Sequence, residues 1–466
     1  MLYAINMFFA ALFVLLCSSV AHLLHKNRKI SFAINLLALA ILIISSLVLF
    51  SGGTAQQVFG FFEIYQFSTF FMVVAASLLA LMGILAYGFN NYDSFATLIG
   101  FIALGIFAVV SANSFITIIL GIELLAVPTS FMIFSKEEHT AEAAVKFFIM
   151  SSAAIAMIAF GVAMIYPYSP FLSLTGWFGT GMQQSYTVLL SFVLILCGLS
   201  FEAALLPFNL WIADVYQGSS KQMPSMLSGI NMMIAFAAII EIMVLSFGAA
   251  SALISRVLVL VSAVTMLFGN LVALKQKNVK RILIYSSLAQ AGYIAVGLAS
   301  SPSFGIDATI FYMVAYAFTA VGAFAIVSYL EEKGRNTLSD YSGLSSGSLF
   351  LSAALTIFML SMAGIPPLIG FVGKYVVFTG ASSSALILLV AFAVINSFIS
   401  IYYYGKIILE MFSNKRKVIR ITVPPSIVLV VCACLLVVIL LGIYPQPLLS
   451  ASYSAAKALS SMAMVP

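Results

Sequence analysis

Apolar runs follow one another along the whole chain and are separated by short polar segments. Most runs hold about 20 residues with few charges, which is the length that a helix needs to cross a bilayer. The pattern therefore predicts an all-α, polytopic membrane protein with fourteen transmembrane helices. These predicted spans, numbered 1 to 14, cover residues 4–24, 30–50, 64–88, 94–111, 113–134, 142–166, 186–215, 223–248, 252–274, 281–300, 306–330, 347–378, 383–411 and 421–444.

Two long predicted spans contain proline past their midpoint. Span 7 carries Pro207 soon after Glu202, and span 12 carries Gly364, Pro366 and Pro367. A proline has no backbone N–H, and its ring crowds the carbonyl group four residues earlier, so a helix breaks or kinks there. Irregular backbone at membrane depth is tolerated only where it is buried in protein or lines a wet cavity. The two breaks therefore mark candidate ion-conducting segments.

The two broken spans lie five spans apart, so they cross the membrane in opposite directions. Interrupted helices in corresponding places of two halves are typical of inverted structural repeats. We predict a single transmembrane domain over residues 1–466, in which spans 4–8 (residues 93–250) and spans 9–13 (residues 251–412) form two inverted five-helix repeats. Residues 1–92 supply spans 1–3, and residues 413–466 supply span 14 and a tail.

The composition excludes a large water-soluble domain, because 63% of the residues are hydrophobic and only 7% are charged. The net charge of +6 resides in short loops, where basic residues set membrane topology, so we predict no nucleic-acid partner. Fifteen of the 20 lysines and arginines fall on one side of the predicted spans. We assign that side to the cytoplasm of a prokaryotic cell with an inner membrane, and both termini to the outside. The fifteen residues are Lys26, Arg28, Lys29, Lys136, Lys221, Lys275, Lys277, Lys280, Arg281, Lys333, Arg335, Lys415, Arg416, Lys417 and Arg420.

The sequence carries no signature of a redox centre or a metal site. Its four cysteines all lie in predicted spans, without a Cys-x-x-Cys or Cys/His cluster, so we predict no disulfide, iron–sulfur or zinc site. There is no G-x-G-x-x-G after a strand and no P-loop, and the three histidines lie near the cytoplasmic edge. We therefore predict that this chain itself binds no cofactor and no metal.

Six segments between about Ser111 and Pro447 resemble, in order, signatures of the antiporter-like membrane subunits of respiratory complex I. These segments are GIELLAVPTSFMIF, EAAVKFFIMSS, LPFNLWIADVYQGS, GNLVALKQKNVKRILIYSSLAQAGY, MAGIPPLIGFVGKYVVF and INSFISIYYYGKIILEMF. The chain is most similar to the N type of these subunits, because span 12 contains Gly373, Lys374 and Tyr375 in succession and the chain ends without a long lateral helix. The same fold is found in subunits of cation/proton antiporters.

The resemblance implies a proton-translocating subunit in the membrane arm of a quinone oxidoreductase that uses NADH or another donor. Its partners would be the lipid bilayer and the other membrane-arm subunits. Flavin, iron–sulfur clusters and quinone would be bound by partner subunits, so this chain would be a translocase subunit without redox chemistry of its own. Two alternatives remain, namely a subunit of a multisubunit cation/proton antiporter and a non-conducting structural subunit of the same complex.

The resemblance also implies which residues move protons. Glu123 in span 5, Lys146 in span 6 and Lys374 in span 12 match titratable positions of the family. Each residue has a structural alternative. Glu123 could serve only to hold two helices together, and Lys146 could extend its charge to the membrane interface. Lys374 could bind a helix end or backbone carbonyl groups.

Glu202 and Met232 depart from the family pattern, which has lysine at the first position and at or near the second. A glutamate is neutral with its proton and negative without it, so a nearby cation stabilises its charged form. Our hypothesis is that Lys146 supplies this cation to Glu123 and Glu202. The alternative is that this half of the protein has lost its conductance and keeps only its shape.

Span 10 offers a possible relay, because Lys280, Ser287 and Gln290 lie close to one stripe of the helix. The family often has histidine where Gln290 stands, and a glutamine can only orient water in such a relay. The alternative is that these polar side chains make hydrogen bonds between helices. Asp214, near the end of span 7, is either a proton entry group or a loop cap. Glu241 lies toward a helix end, where we expect water to reach it, and we assign it a structural role.

Overall fold

Helices form nearly the whole protein in the computed structural model, which describes residues 2–53, 55–58, 60–135, 138–169, 172–175, 186–247, 251–300, 302–383, 386–413 and 421–463. Some of the basic loop residues that assign the membrane topology lie outside these ranges. They are Lys136, Lys415, Arg416, Lys417 and Arg420.

Most helices follow the apolar runs closely. A π-helical segment, Leu227–Asn231, joins α9 to α10, and a 3₁₀ turn covers Leu338–Tyr341. The α-helices are α1 Leu2–His25, α2 Arg28–Gly52, α3 Gln66–Gly88, α4 Tyr92–Val110, α5 Phe115–Ile133, α6 Glu138–Ile165, α7 Tyr186–Glu202, α8 Ile212–Gly218, α9 Met223–Met226, α10 Met232–Leu245, α11 Ser251–Lys275, α12 Val279–Ala299, α13 Pro302–Glu332, α14 Leu344–Gly347, α15 Leu349–Ala363, α16 Ile369–Ser383, α17 Ile387–Met411, α18 Pro425–Ile443 and α19 Gln446–Met462.

Twelve helical segments of the described chain are long and apolar enough to cross a membrane. The two interrupted spans are built differently, because α7 has 17 residues and α15 has 15. At 1.5 Å per residue each covers only about 22–26 Å, which is less than the ~30 Å hydrocarbon core. A non-helical stretch and a second helix, α8 or α16, follow each of them. The predicted breaks at Pro207 and at Gly364, Pro366 and Pro367 are therefore confirmed, whereas the inverted repeats stay a prediction.

The chain divides into two compact units. Unit 1 comprises residues 1–203, 230–254 and 450–466, and unit 2 comprises residues 204–229 and 255–449. One boundary falls in the break of span 7, directly after α7, and the next falls inside the π-helical segment. Residues 204–229, which the sequence assigns to the first repeat, thus belong to unit 2. Glu202 lies in unit 1 and Lys374 lies in unit 2.

A short antiparallel hairpin in unit 1 is the exception to the all-α prediction. Its strands are β1 (Gln56–Val58) and β2 (Phe62–Ile64), between α2 and α3. The Glu63 N–H donates to the carbonyl oxygen of Ser111 at 2.7 Å, which fixes the hairpin to the connection between α4 and α5. Three residues per strand are too few for an alternating pattern to be recognised in the sequence.

Glycine allows the helices of unit 2 to approach closely. A side chain at Gly370 in α16 would overlap the carbonyl oxygen of Ser361 in α15, and the Gly370 N–H donates to Ser361 Oγ at 3.2 Å. A side chain at Gly373 would overlap the ring of Tyr312 in α13. These two glycines seat α16 against its neighbours and thereby direct Lys374 into the interior.

The Gly370→Ala variant is expected to be less stable than the wild type by about 1–3 kcal/mol, the usual cost of overpacking a closely packed site. Thermal unfolding of the detergent-purified protein would measure the loss. Gly405→Ala in α17 is the matched control, because nothing lies within 4 Å of a side chain added there. Equal unfolding temperatures for the two variants would contradict the close α15–α16 contact.

Candidate functional site

Glu202 ends α7, at the point where span 7 breaks. Only 6% of the residue is exposed, and neither carboxyl oxygen accepts a hydrogen bond from the described residues. One turn earlier, Gly198 lies too close to α6 for any side chain, so α7 is pressed against α6 at this level. A buried carboxyl group without a bonded partner is costly as an ion and is uncommon in structural positions.

Polar groups from α5 and the π-helical segment surround this carboxyl group. Asn231 approaches it without completing a hydrogen bond, and Glu123 is near enough for its charge to act on Glu202. The Asn231 Nδ2 donates instead to Thr129 Oγ1 at 3.3 Å. Glu123 itself is partly exposed. Glu123, Thr129, Glu202 and Asn231 are named the unit 1 site below.

Lys146 lies in α6, the helix that packs against α7. The residue is partly exposed. Lys146 stands only eight residues after the start of α6, about 12 Å along the helix axis. The hypothesis that Lys146 supplies a cation to Glu123 and Glu202 stays a prediction.

Asn231 is a site residue that the sequence analysis overlooked. It closes the π-helical segment, a rare conformation that is frequent at functional sites, directly before the buried Met232. The family resemblance concerns a lysine at or near position 232, which this chain lacks. It says nothing about the asparagine at position 231. A single asparagine within the apolar stretch SGINMMIAF was the available signal.

Lys374 is a buried cationic side chain of unit 2, with 4% of the residue exposed. Its Nζ donates to the carbonyl oxygens of Met362 at 2.8 Å and Ala363 at 3.3 Å, and to Ser397 Oγ at 2.9 Å. It also lies 4.5 Å from the centroid of the Tyr293 ring. Three acceptors match the three N–H bonds of an ammonium group. Because α15 ends at the break, its last carbonyl groups lack helical partners and stabilise a cation at membrane depth.

Gln290 in α12 shares an acceptor with Lys374. Its Nε2 donates to the Met362 carbonyl oxygen at 3.0 Å and to the Tyr404 hydroxyl at 3.4 Å, and its Oε1 accepts from the Tyr312 hydroxyl. Both ends of the amide are therefore in use, which fixes its orientation beside the lysine. The polar group formed by Lys374, Gln290, Tyr293, Tyr312, Tyr404 and Ser397 is named the unit 2 site below.

A second polar cluster, also overlooked, extends the unit 2 site. The Asn270 Nδ2 donates to the Tyr293 hydroxyl at 3.2 Å and to Asn396 Oδ1 at 3.2 Å. The Tyr403 hydroxyl donates to Asn270 Oδ1 at 3.0 Å. Asn270 thus holds the tyrosine whose ring faces Lys374. Asparagines within the apolar runs LFGNLVAL and AVINSFIS were the sequence signal.

The other residues of the predicted relay and entry path make different contacts. Lys280 forms an ion pair with Glu331 at 2.7 Å, at the beginning of α12, and Ser287 Oγ donates to the Leu283 carbonyl oxygen of its own helix at 2.9 Å. Asp214 is exposed on α8. Of the predicted stripe, Gln290 is the residue that reaches the hydrogen-bond network of Lys374.

A cavity of about 370 Å³ lies beside Lys374, between α16 and α17. Gly364 and Ser397 line it next to the lysine, and Tyr375 and Phe398 line its outer part. Apolar side chains supply most of its lining, and Lys374 and Ser397 supply polar groups to which water can bond. Among the described residues, no group of three His, Cys, Asp or Glu side chains could hold a metal ion.

Comparison with known proteins assigns the chain to a family. Residues 112–400 match the family model described as NADH:quinone oxidoreductase/Mrp antiporter, TM. The NADH-quinone oxidoreductase subunit N of Desulforamulus reducens is 33% identical over 415 residues, which cover 85% of this chain and 86% of the relative. This chain belongs to that NADH:quinone oxidoreductase/Mrp antiporter family.

Two solved structures of complexes named in the family description have a similar fold. A chain of respiratory complex I from Thermus thermophilus is 29% identical, with a TM-score of 0.82 over 94% of this chain and 98% of its own. A chain of the Mrp complex from a Dietzia species is 22% identical, with a TM-score of 0.89 over 99% and 98% of the two chains. At that identity the second likeness shows the fold alone. The family match contains every residue of the unit 1 site and nearly all of the unit 2 site.

Proposed function

We propose that this chain is the N-type, proton-translocating subunit in the membrane arm of a complex I-like NADH:quinone oxidoreductase of a prokaryotic inner membrane. Three relatives that are 31–33% identical to this chain carry the name NADH-quinone oxidoreductase subunit N. Partner subunits would bind flavin, iron–sulfur clusters and quinone and perform the electron transfer. This chain would contribute the translocase part of the reaction.

One observation carries the proposal: each of the two helix breaks places a buried titratable side chain at membrane depth. Glu202 ends the helix before the first break, and Lys374 binds the carbonyl groups that end the helix before the second. Ionisable groups in membrane spans are expensive, and where they occur they usually serve ion movement.

In the unit 1 site, a proton would be held by one of two carboxyl groups. When Glu202 loses its proton, its charge lies near Glu123, and the repulsion favours states in which the two groups share one proton. The Asn231 amide can turn from Thr129 toward the ionised Glu202 and stabilise it. A proton that binds to either Glu123 or Glu202 can therefore pass to the other carboxyl group.

In the unit 2 site, the same lysine would be held in both protonation states. The ammonium form donates to the two carbonyl oxygens and to Ser397. The neutral amine has a lone pair, so it can accept a hydrogen bond from the Ser397 hydroxyl, which now donates to the Ala363 carbonyl oxygen at 3.3 Å. Water in the adjacent cavity would deliver or remove the proton.

Purification of the tagged chain in mild detergent, with identification of its partners, tests the proposed assembly. We expect subunits that carry flavin and iron–sulfur clusters to co-purify with it. Recovery of other antiporter chains without any redox subunit would favour the cation/proton antiporter, whose fold this chain shares.

The orientation, with basic loops in the cytoplasm, is tested by labelling with a membrane-impermeant maleimide in a background without the native cysteines. Gln57→Cys lies on the hairpin and Lys277→Cys lies in a basic loop, and both positions are exposed. We expect the hairpin cysteine to react in intact spheroplasts and the loop cysteine to react only after the membrane is opened. The reverse pattern would invert the assigned topology.

A further inference from the structure

Glu241 in α10 is a buried carboxyl group that the mechanism above does not use. The sequence places it toward a helix end, within reach of water, but the residue is 0% exposed. The correction arises because the start of α3 covers this end of α10. The Tyr65 hydroxyl, directly before α3, donates to Glu241 Oε1 at 2.9 Å, whereas Oε2 has no hydrogen-bond partner among the described residues.

Glu63 is an ionisable residue of the hairpin, two residues before Tyr65. It lies in strand β2, where the hydrogen bond of its backbone to Ser111 holds it, and its side chain is partly exposed. Tyr65 has extended backbone, so its side chain and that of Glu63 leave the chain on the same face, and the charge of Glu63 acts on Tyr65 and Glu241. Because Glu63 lies outside the spans and is half-buried, burial raises its pKa above the ordinary value of a glutamate, which favours proton uptake there.

The three side chains have the chemistry of a proton path. Among the described residues, Tyr65 and Glu63 are the ionisable groups that act on Glu241, so they supply no cation to its ionised form, and an isolated buried charge is costly. A tyrosine hydroxyl donates one proton and accepts another, so it can pass a proton on without a lasting charge. Asn231 of the unit 1 site lies ten residues earlier, near the start of the same α10 helix, which corresponds to about 15 Å along the axis.

We infer that Glu241 is a proton-carrying residue that exchanges protons with the hairpin side of the membrane through Tyr65 and Glu63. In the outward step, the O–H bond of protonated Glu241 breaks as its proton passes to the Tyr65 oxygen. The Tyr65 proton moves at the same time to Glu63, directly or through one water molecule. One proton leaves Glu241, one appears on Glu63, and the tyrosine is unchanged. The inference rests on the proposed function, because it supplies the unit 1 site with an access route.

A purely structural reading assigns the Tyr65–Glu241 hydrogen bond to fastening α3 on α10. Glu241→Gln separates the two readings, because a glutamine keeps the acceptor for Tyr65 but cannot release a proton. We expect this variant to assemble normally and to lose proton pumping by about a hundredfold, as on removal of a positioned proton-transfer group. Tyr65→Phe should lose pumping as well. Glu142→Gln, on the exposed face of α6, is the matched control and should pump as the wild type does.

Labelling by the hydrophobic reagent dicyclohexylcarbodiimide gives a second readout that does not depend on pumping. This reagent modifies protonated carboxyl groups in apolar surroundings, and mass spectrometry of the whole purified complex locates the adduct. We expect Glu241 to be labelled in wild-type vesicles, less so as the pH on the hairpin side rises, and we expect Tyr65→Phe to abolish this response to pH.

The two readouts separate the two proposals. Wild-type pumping by Glu241→Gln, in a complex that Glu202 and Lys374 variants do inactivate, would overturn the access route and leave the proposed function intact. Labelling of Glu241 that does not change with the pH on the hairpin side would also overturn the access route. Labelling that follows the pH through Tyr65, in a complex that pumps without Glu202 and Lys374, would support the route and contradict the proposed function.

Discussion

Replacing Lys374 with methionine is expected to lower proton pumping by the assembled complex about a hundredfold, at the lower end of the loss caused by removing a positioned proton-transfer group. Methionine fills the same apolar volume but has no proton to exchange. It also leaves the Ala363 carbonyl oxygen without its Lys374 donor, while the Met362 oxygen keeps its bond from Gln290. Proton uptake by vesicles, measured per quinone reduced, gives the loss, and gel filtration checks assembly.

Lys374→Arg distinguishes proton transfer from charge alone. A guanidinium keeps its proton at every accessible pH, so it can hold the end of α15 but cannot carry a proton. We expect this variant to assemble and to remain defective in pumping. Lys406→Met is the control, because Lys406 lies in α17 with its side chain exposed. If Lys374→Arg pumped as the wild type does, Lys374 would be a structural residue.

The second large effect is expected for Glu202→Gln, which should also lower pumping about a hundredfold. Glutamine has almost the same shape and cannot release a proton at this position. Its amide brings two donors into a site where neither oxygen of the glutamate is bonded now, and an unmade hydrogen bond costs about 1–3 kcal/mol. Assembly must therefore be measured alongside proton uptake.

Two further variants bear on Glu202. Glu332→Gln, on the exposed end of α13, controls for the loss of one acidic group. Glu202→Lys restores the residue type that the family resemblance implies, and the ammonium would be attracted by Glu123, so we expect it to keep part of the pumping. Undiminished pumping by Glu202→Gln would mean that the unit 1 site retains its shape without conducting.

Much of the fold follows from the sequence because lipid imposes simple rules on it. Each apolar run must satisfy its own backbone hydrogen bonds, so it becomes a helix, and a proline within the run breaks or kinks it. Pro207 and the Gly364–Pro367 segment could be identified as breaks because each interrupts an unusually long run, whereas Pro128 lies inside α5. The same reasoning identified Glu202 and Lys374, since charges are scarce in such segments.

The partners of these groups could not be predicted, because they depend on which helix faces overlap. Glu241 lies near the end of its helix in the sequence, but Tyr65, 176 residues away, covers it. Asn270 and Asn396 meet across 126 residues. Periodicity gives the face of one helix and contains no information on its neighbour.

The way in which Lys374 is held has a consequence for energy coupling. Lys374 donates to two carbonyl groups and a hydroxyl, which are all neutral. Loss of its proton therefore leaves no uncompensated negative charge. Without the proton, Lys374 and its three acceptors are together electrically neutral. With the proton, they carry one full elementary charge. Such a charge gains or loses about 2.3 kcal/mol when it crosses 100 mV. Occupancy of this lysine should consequently respond to the voltage that the enzyme builds up, which provides a brake on pumping against a fully energised membrane.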